Sequence, residues 1–336
     1  MTAVKWYSRE LLRKEKPYAN MGKNVQLAEY MSVRDGRAGA ILEFESAGGF
    51  RQEFLKRLEY ETFAGRDEEP EVWQPIYSIE SNAALPKIQE IYTLGPGGVV
   101  FEEVKEGGEV KFATLSESNK TVRQKHYAFG FQYTKDMVKY NRVFDMALLE
   151  RAGGKAFNAL RNHIHLYPII SAAYTSDNQT AASSVGSDLL EKYMSTLEDA
   201  IETAKADDRR GPYILLISGS QSMKVQNMMN IRVQDGAGNP RAGAGQIQSI
   251  IEYDGWTGTR GAKTTTYTGV TSGKAYLIST QFKEQDFVSK ISQELQMTAG
   301  NPDVSRFIMD ENIWDTYFGM YSAPLNAVEE ITWPTS

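Results

Sequence analysis

Cysteine is missing from all 336 residues. That excludes disulfide staples, thiolate nucleophiles, iron–sulfur clusters and cysteine-ligated zinc, while leaving the redox compartment open. Histidine is nearly as scarce, with three in the chain, which leaves little material for a metal centre. His163 and His165 stand two apart, and at ~100° per residue of helix they diverge by about 200° around the axis. They read as solvated or partner-facing side chains and not as a ligand pair. No apolar run approaches the ~20 residues a membrane helix needs, and the opening MTAVKWYSRELLRKEK has no signal-peptide core. The expectation is a soluble, cytoplasmic chain without membrane contact. Catalytic signatures such as GxSxG, HExxH and the EF-hand loop are not found. The glycines of Asp235–Gly245 (DGAGNPRAGAG) have the wrong spacing for a phosphate loop, and Gly273-Lys274 is followed by Ala275 where Ser or Thr is needed. Neither enzymatic activity, nor a metal, nor a cofactor is expected.

What the sequence does contain is ordinary in bulk and uneven in placement. With 41% hydrophobic and 24% charged residues it has the composition of a folded chain, and its length suggests two domains or one elaborate one. Residues 1–40 carry eight bases against four acids, a net of +4, so the remainder holds −10 of a total of −6. A basic arm ahead of an acidic body fits a tail that meets nucleic acid or a neighbouring copy of the chain. Weak periodicity and many Gly, Asn and Met residues make 1–48 an extended arm that needs a partner surface.

Beyond the arm, Phe50, Phe54, Leu58 and Thr62 follow helical spacing, with Gly65 placed to cap the helix. Between Lys87 and Tyr133 the period changes to two. Val99–Lys105 and Glu109–Leu115 flank Gly107-Gly108, a pair suited to a hairpin turn that needs positive φ at both positions. The turn region, with Glu102, Glu103, Lys105, Glu106, Glu109 and Lys111, is too polar to bury on both faces, so this hairpin is expected to lie on another surface. In the return strand Tyr127, Phe129, Phe131 and Tyr133 alternate onto one buried face, read as core and not as a base-stacking platform. A helix follows over about Val143–Leu166, with Gly153-Gly154 inside it predicting a bend or a close neighbour and Pro168 ending it. Asp188 and Glu191 start a further helix with a stripe at Leu190, Met194, Leu197, Ile201 and Ala204. Tyr213–Ser218 (YILLIS) is a buried strand, Ser220–Met229 a helix, and together they predict an α/β layer with a covered sheet. A strand at Ala275–Ser279, an alternating strand from Phe287 to Met297, a segment Arg306–Asp310 and an aromatic tail (Trp314, Tyr317, Phe318, Tyr321, Trp333) complete the chain. The region between Gly245 and Thr268 has no clear pattern.

This order of elements resembles the major capsid proteins of tailed bacteriophages, most strongly at KHYAFGFQYTKDMV with VFDMALLERAGGKAFNALRNHI, and at GPYILLISGSQSM. The resemblance implies the Hong Kong 97-type α+β fold. In its terms 1–48 is the N-arm, 49–86 a part of the P-domain with a short helix, and 87–133 the E-loop hairpin with its return strand. Residues 134–170 are the P-domain spine helix, 171–286 the A-domain, and 287–336 the return to the P-domain. It implies a structural subunit forming hexamers and pentamers of an icosahedral head around double-stranded DNA, held without sequence-specific contacts. Portal, scaffolding and cement proteins would be its partners, and the virion capsid, assembled in the host bacterial cytoplasm, its location. No basic coiled-coil segment precedes the arm, so scaffolding is expected from a separate protein, or the chain has been processed. Candidate inter-subunit residues are Lys5, Arg9, Arg13 and Lys14 on the arm, and Glu102, Lys105, Gly107, Gly108 and Lys111 at the hairpin tip. No lysine–asparagine cross-link is expected. An encapsulin-type nanocompartment shell is the same-fold alternative, and a soluble α/β enzyme a remote one.

Overall fold

The computed structural model describes residues 49–91, 120–134, 143–230, 246–260, 263–281, 283–299 and 308–335. Helix α1 (Gly49–Glu68) is followed by short strands β1 (Ser78–Ser81) and β2 (Ile88–Ile91). After residues 92–119 the chain resumes as β3 (Lys120–Arg123), then β4 (Lys125–Thr134) and the long helix α2 (Val143–Ile170). Strand β5 (Gln179–Thr180), helix α3 (Leu189–Ala206), strand β6 (Tyr213–Ile217) and helix α4 (Gly219–Asn230) come next. Strands β7 (Ile247–Glu252), β8 (Gly255–Arg260), β9 (Lys263–Thr268) and β10 (Lys274–Ser279) follow. One-turn helix α5 (Lys283–Asp286) leads into β11 (Phe287–Ala299) and β12 (Ile308–Ser322), and α6 (Pro324–Ala327) into β13 (Val328–Thr332). The class is α+β. One sheet has the order β1-β11-β12-β4, another β5-β13-β10-β6-β7, and two ribbons pair β2 with β3 and β8 with β9. Among the described residues no helix is long and apolar enough to cross a membrane.

The chain divides into two compact units interleaved in sequence. The larger comprises Pro70–Tyr127, Ala156–Gln296 and Asp315–Ser336. Its five-stranded sheet is covered on both faces, which is why YILLI can be continuously apolar. Ile214, Leu216, Tyr276 and Ile278 join Trp73, Ile76, Leu166 and Ile169 on one side. Tyr213, Leu215, Ile217, Ala275 and Leu277 meet Met194, Leu197, Ile201, Val225 and Met228 of α3 and α4 on the other. The odd and even positions of β6 thus feed two different cores, as the period of two requires. Helix α3 begins as its sequence predicts. The Asp188 carboxylate accepts from the Glu191 N–H at 2.8 Å, and the Glu191 carboxylate accepts from the Ser187 N–H at 2.6 Å.

The smaller unit comprises Met1–Glu69, Ala128–Lys155 and Met297–Trp314. Here glycine has a role the sequence reading assigned only in part. Gly65 does not cap α1, which runs on to Glu68. A Cβ at Gly65 would collide with the Arg151 carbonyl of α2, and one at Gly154 would collide with the Thr62 carbonyl of α1, so the two helices cross backbone to backbone. Gly153 faces the other way, where a Cβ would lie 2.6 Å from the Phe129 ring. Of the two outcomes expected at Gly153-Gly154, the close neighbour is what the structure contains.

Other expectations need correction. Pro168 lies inside the last turn of α2, and the helix ends only at Ile170, where both the Ser171 N–H and its hydroxyl bond to the Tyr167 carbonyl at 2.8 and 2.7 Å. A proline this close to the end removes one intrahelical bond and interrupts no later turn. The patternless region before Thr268 contains β7, β8 and β9. The glycine-rich stretch Asp235–Gly245 lies outside the described residues.

Candidate assembly surfaces

All nine residues singled out for subunit contacts fall outside the described chain: Lys5, Arg9, Arg13 and Lys14 within 1–48, and Glu102, Lys105, Gly107, Gly108 and Lys111 within 92–119. What is described is the β2–β3 stem, between whose strands the second group falls in sequence. Strands β2 and β3 are antiparallel, with Ile91 opposite Lys120 and Ile88 opposite Arg123, and the Gln124 N–H bonds to the Lys87 carbonyl at 2.9 Å. Val122 is the side chain of β3 that enters the core, against Val288, while Thr121 and Arg123 are exposed. Ile88 on β2 remains 55% exposed. The stem is therefore half-supported by its own chain.

The return strand keeps its alternation. Tyr127, Phe129 and Phe131 are half-buried, and Ala128, Gly130 and Gln132 exposed. Tyr127 stacks on Phe318 in the larger unit (4.6 Å between centroids), and Phe129 on Trp314 in the smaller (6.3 Å). These rings serve the core, though less completely than the alternation suggested.

The buried polar groups act as braces. In the larger unit His165 is fully buried, which corrects the expectation of a solvated or partner-facing side chain. Its Nδ1 lies 2.8 Å from the Arg161 carbonyl and must carry the hydrogen, so Nε2 accepts from the Ser289 hydroxyl at 2.9 Å. Tyr77 donates to the His165 carbonyl at 2.6 Å, and the Trp73 ring stacks on the imidazole at 3.7 Å. Burial pushes the His165 pKa down to about 3. The Arg161 carbonyl bond works against burial and the Arg161 charge works with it. Buried Arg161 pairs with Glu71 at 2.9 Å and lies 5.1 Å from the Trp73 ring centre. In the same unit Arg209 meets the Glu329 carboxylate at 2.8 Å, and the Thr180 hydroxyl donates to it at 2.7 Å. Burial raises the Glu329 pKa, while Thr180 and Arg209 draw it back down. In the smaller unit the buried Glu150 carboxylate accepts from the Thr62 hydroxyl at 2.9 Å and the Trp314 indole N–H at 2.8 Å. Each of these groups ties together segments that are remote in sequence. Both ring nitrogens of His165 are engaged, so it has no free position from which to move a proton to a substrate.

No protein-family model matches the chain, and no curated protein matches it. Solved structures do. A virus-like particle from Pyrococcus furiosus aligns over 82% of this chain and 97% of its own, at 9% identity and a TM-score of 0.50. This is the Hong Kong 97-type capsid fold. The capsid of the cyanophage P-SCSP1u aligns over 80% of this chain and 89% of its own, at 9% identity and a TM-score of 0.49. The mature capsid of bacteriophage PhiM1 covers 79% and 87%, at 12% identity and 0.45. The Hong Kong 97-type fold accounts for the order of elements: a stem at β2–β3, a return strand, a long helix, a covered α/β sheet and late strands. One surface element escaped the sequence reading, the β8–β9 ribbon. Its signal was the alternating Thr257, Thr259, Thr264 and Thr266 on either side of Gly261-Ala262.

Proposed function

We propose that the chain is a major capsid protein, a non-enzymatic subunit that assembles into hexamers and pentamers of an icosahedral shell around double-stranded DNA. The observation carrying this reading is the Hong Kong 97-type fold over 82% of the chain and 97% of the virus-like particle subunit. Its location is then the virion capsid, with assembly in the host bacterial cytoplasm, and portal, scaffolding and cement proteins as partners. The basic arm and the polar hairpin tip, through Lys5, Arg9, Arg13, Lys14, Glu102, Lys105, Gly107, Gly108 and Lys111, reach different neighbours, because ring closure requires heterologous contacts. Obligate interfaces of this kind bury on the order of 2,000 Å² or more. A net charge of −6 suits a shell that confines DNA without gripping its phosphates.

Electron microscopy and light scattering of the expressed chain, with and without its scaffold, test the reading. Megadalton shells or capsomer rings are expected, and a monodisperse monomer or dimer under both conditions overturns it. The match to a virus-like particle favours a second reading on the same fold, an encapsulin-type compartment holding protein cargo. Particles purified from the native source separate the two: packaged DNA supports the capsid, and an enclosed enzyme supports the compartment.

A further inference from the structure

Strands β8 and β9 form a ribbon outside both larger sheets. Six rungs run from Gly255 opposite Thr268 to Arg260 opposite Lys263, a reach of about 20 Å at ~3.3 Å per residue. An aromatic rung near the base ties it to α2. Trp256 stacks across the ribbon on Tyr267 at 5.5 Å, and Tyr267 stacks on His163 of α2 at 4.5 Å. The Trp256 indole folds over Gly258, where a Cβ would collide with the ring. Beyond this rung, Thr257 faces Thr266 and Thr259 faces Thr264, with hydroxyl oxygens 3.4 and 3.5 Å apart. All four threonines are exposed, and so is Thr265 on the opposite face.

A two-stranded ribbon is marginal in water, and an open strand edge is a template for further pairing. Edges are ordinarily guarded by charge or proline. Between Gly255 and Thr268 there is no proline, and the charges are Arg260 and Lys263 at the tip. Residues 255–283 contain no Asp or Glu in a chain of net −6. The ribbon is thus an acid-free stretch with a cationic tip, opposite in sign to the net −6 that every other copy of the chain carries. From this we infer that the β8–β9 ribbon is an inter-subunit contact, its exposed threonines and basic tip docking on a second, net-acidic copy of the chain. The inference rests on the shell reading above and adds to the arm and hairpin a contact made by the covered-sheet unit. Nucleic acid is the weaker occupant, because two bases flanked by threonines offer few phosphate contacts. An uncharged β-branched edge instead suits a peptide backbone.

Three variants of the full chain test it. In the first, Thr259–Thr264 are deleted and Gly258 is joined to Thr265, which keeps the Trp256–Tyr267 rung. In the second, Arg260→Glu is combined with Lys263→Glu. In the third, Thr265→Cys introduces a unique thiol that carries a benzophenone, and isotopically light and heavy copies are mixed before irradiation. Sedimentation reads assembly, and mass spectrometry reads cross-links. The shortened chain should keep the wild-type circular dichroism and melting temperature but need at least about tenfold more protein to assemble. Charge reversal should weaken assembly about tenfold at low salt, with the deficit fading at high salt. Cross-links should join light to heavy copies. If the shortened chain does not fold, the other two variants decide. Normal assembly of the shortened or charge-reversed chain, cross-links confined to one copy, or a charge reversal that lowers only double-stranded DNA binding each overturns the inference. Should the wild type never associate, the shell reading falls as well; association of both wild type and shortened chain removes the ribbon alone.

Discussion

His165 enters the folded chain as a neutral ring with both nitrogens engaged, and its pKa falls from 6.5 to about 3. Between those values the unfolded chain takes up a proton that the folded chain refuses. The stabilisation is therefore complete above pH 6.5 and is lost as pH falls from 6.5 toward 3. Wild type should lose about 3 kcal/mol relative to His165→Gln between pH 7.5 and pH 4, since carboxylate titrations common to both proteins cancel. Urea unfolding at the two pH values measures this, and a wild type that tracks the variant across the range refutes it. The local sequence carries no sign of this role. The partners Trp73, Tyr77 and Ser289 are some 90 to 120 positions away, and two histidines near a helix end look solvated until the fold brings those residues in.

At the scale of elements, the crossing of α1 and α2 depends on Gly65 and Gly154, each of which leaves no room for a Cβ against the facing backbone. Alanine in place of glycine inside a helix ordinarily stabilises by about 1 kcal/mol. Here the sign reverses: Gly154→Ala forces the helices apart and should cost about 1–3 kcal/mol. Gly65→Ala should behave alike, and the double variant should cost less than the sum, because one displacement relieves both collisions. Thermal melts of the four proteins measure it, and a raised melting temperature for Gly154→Ala would falsify the crossing. Helices α3 and α4 and strands β6 and β10 were readable in advance, since stripe, cap and apolar run are all local signals. Strands β7 to β9 were not. Most of their side chains are exposed or half-buried, so no apolar period marks them.

For the whole molecule, the proposed shell has residues 1–48 and the polar stretch Glu102–Lys111 clasping neighbours. Deleting residues 1–40, or Glu102–Lys111, should abolish particles in electron micrographs while circular dichroism and melting report an intact core. Normal particles from either deletion would remove the clasping role. The two units draw on interleaved segments of chain, with Pro70–Tyr127 separating the helix α1 from the strand that completes its unit. Charge and period are legible along the chain, whereas interleaving depends on contacts across more than 200 positions.

By itself the sequence determined the order and kind of most elements, the covered sheet at YILLI and the acidic body with a basic arm, because propensity, periodicity and net charge are local or additive. Only the tertiary structure decided that Gly65 and Gly154 seat two crossing helices, that His165 is a buried neutral brace, and that a threonine ribbon projects from an aromatic rung. Each of these is a matter of which distant atoms arrive within a few ångströms, and packing between remote segments leaves no local mark.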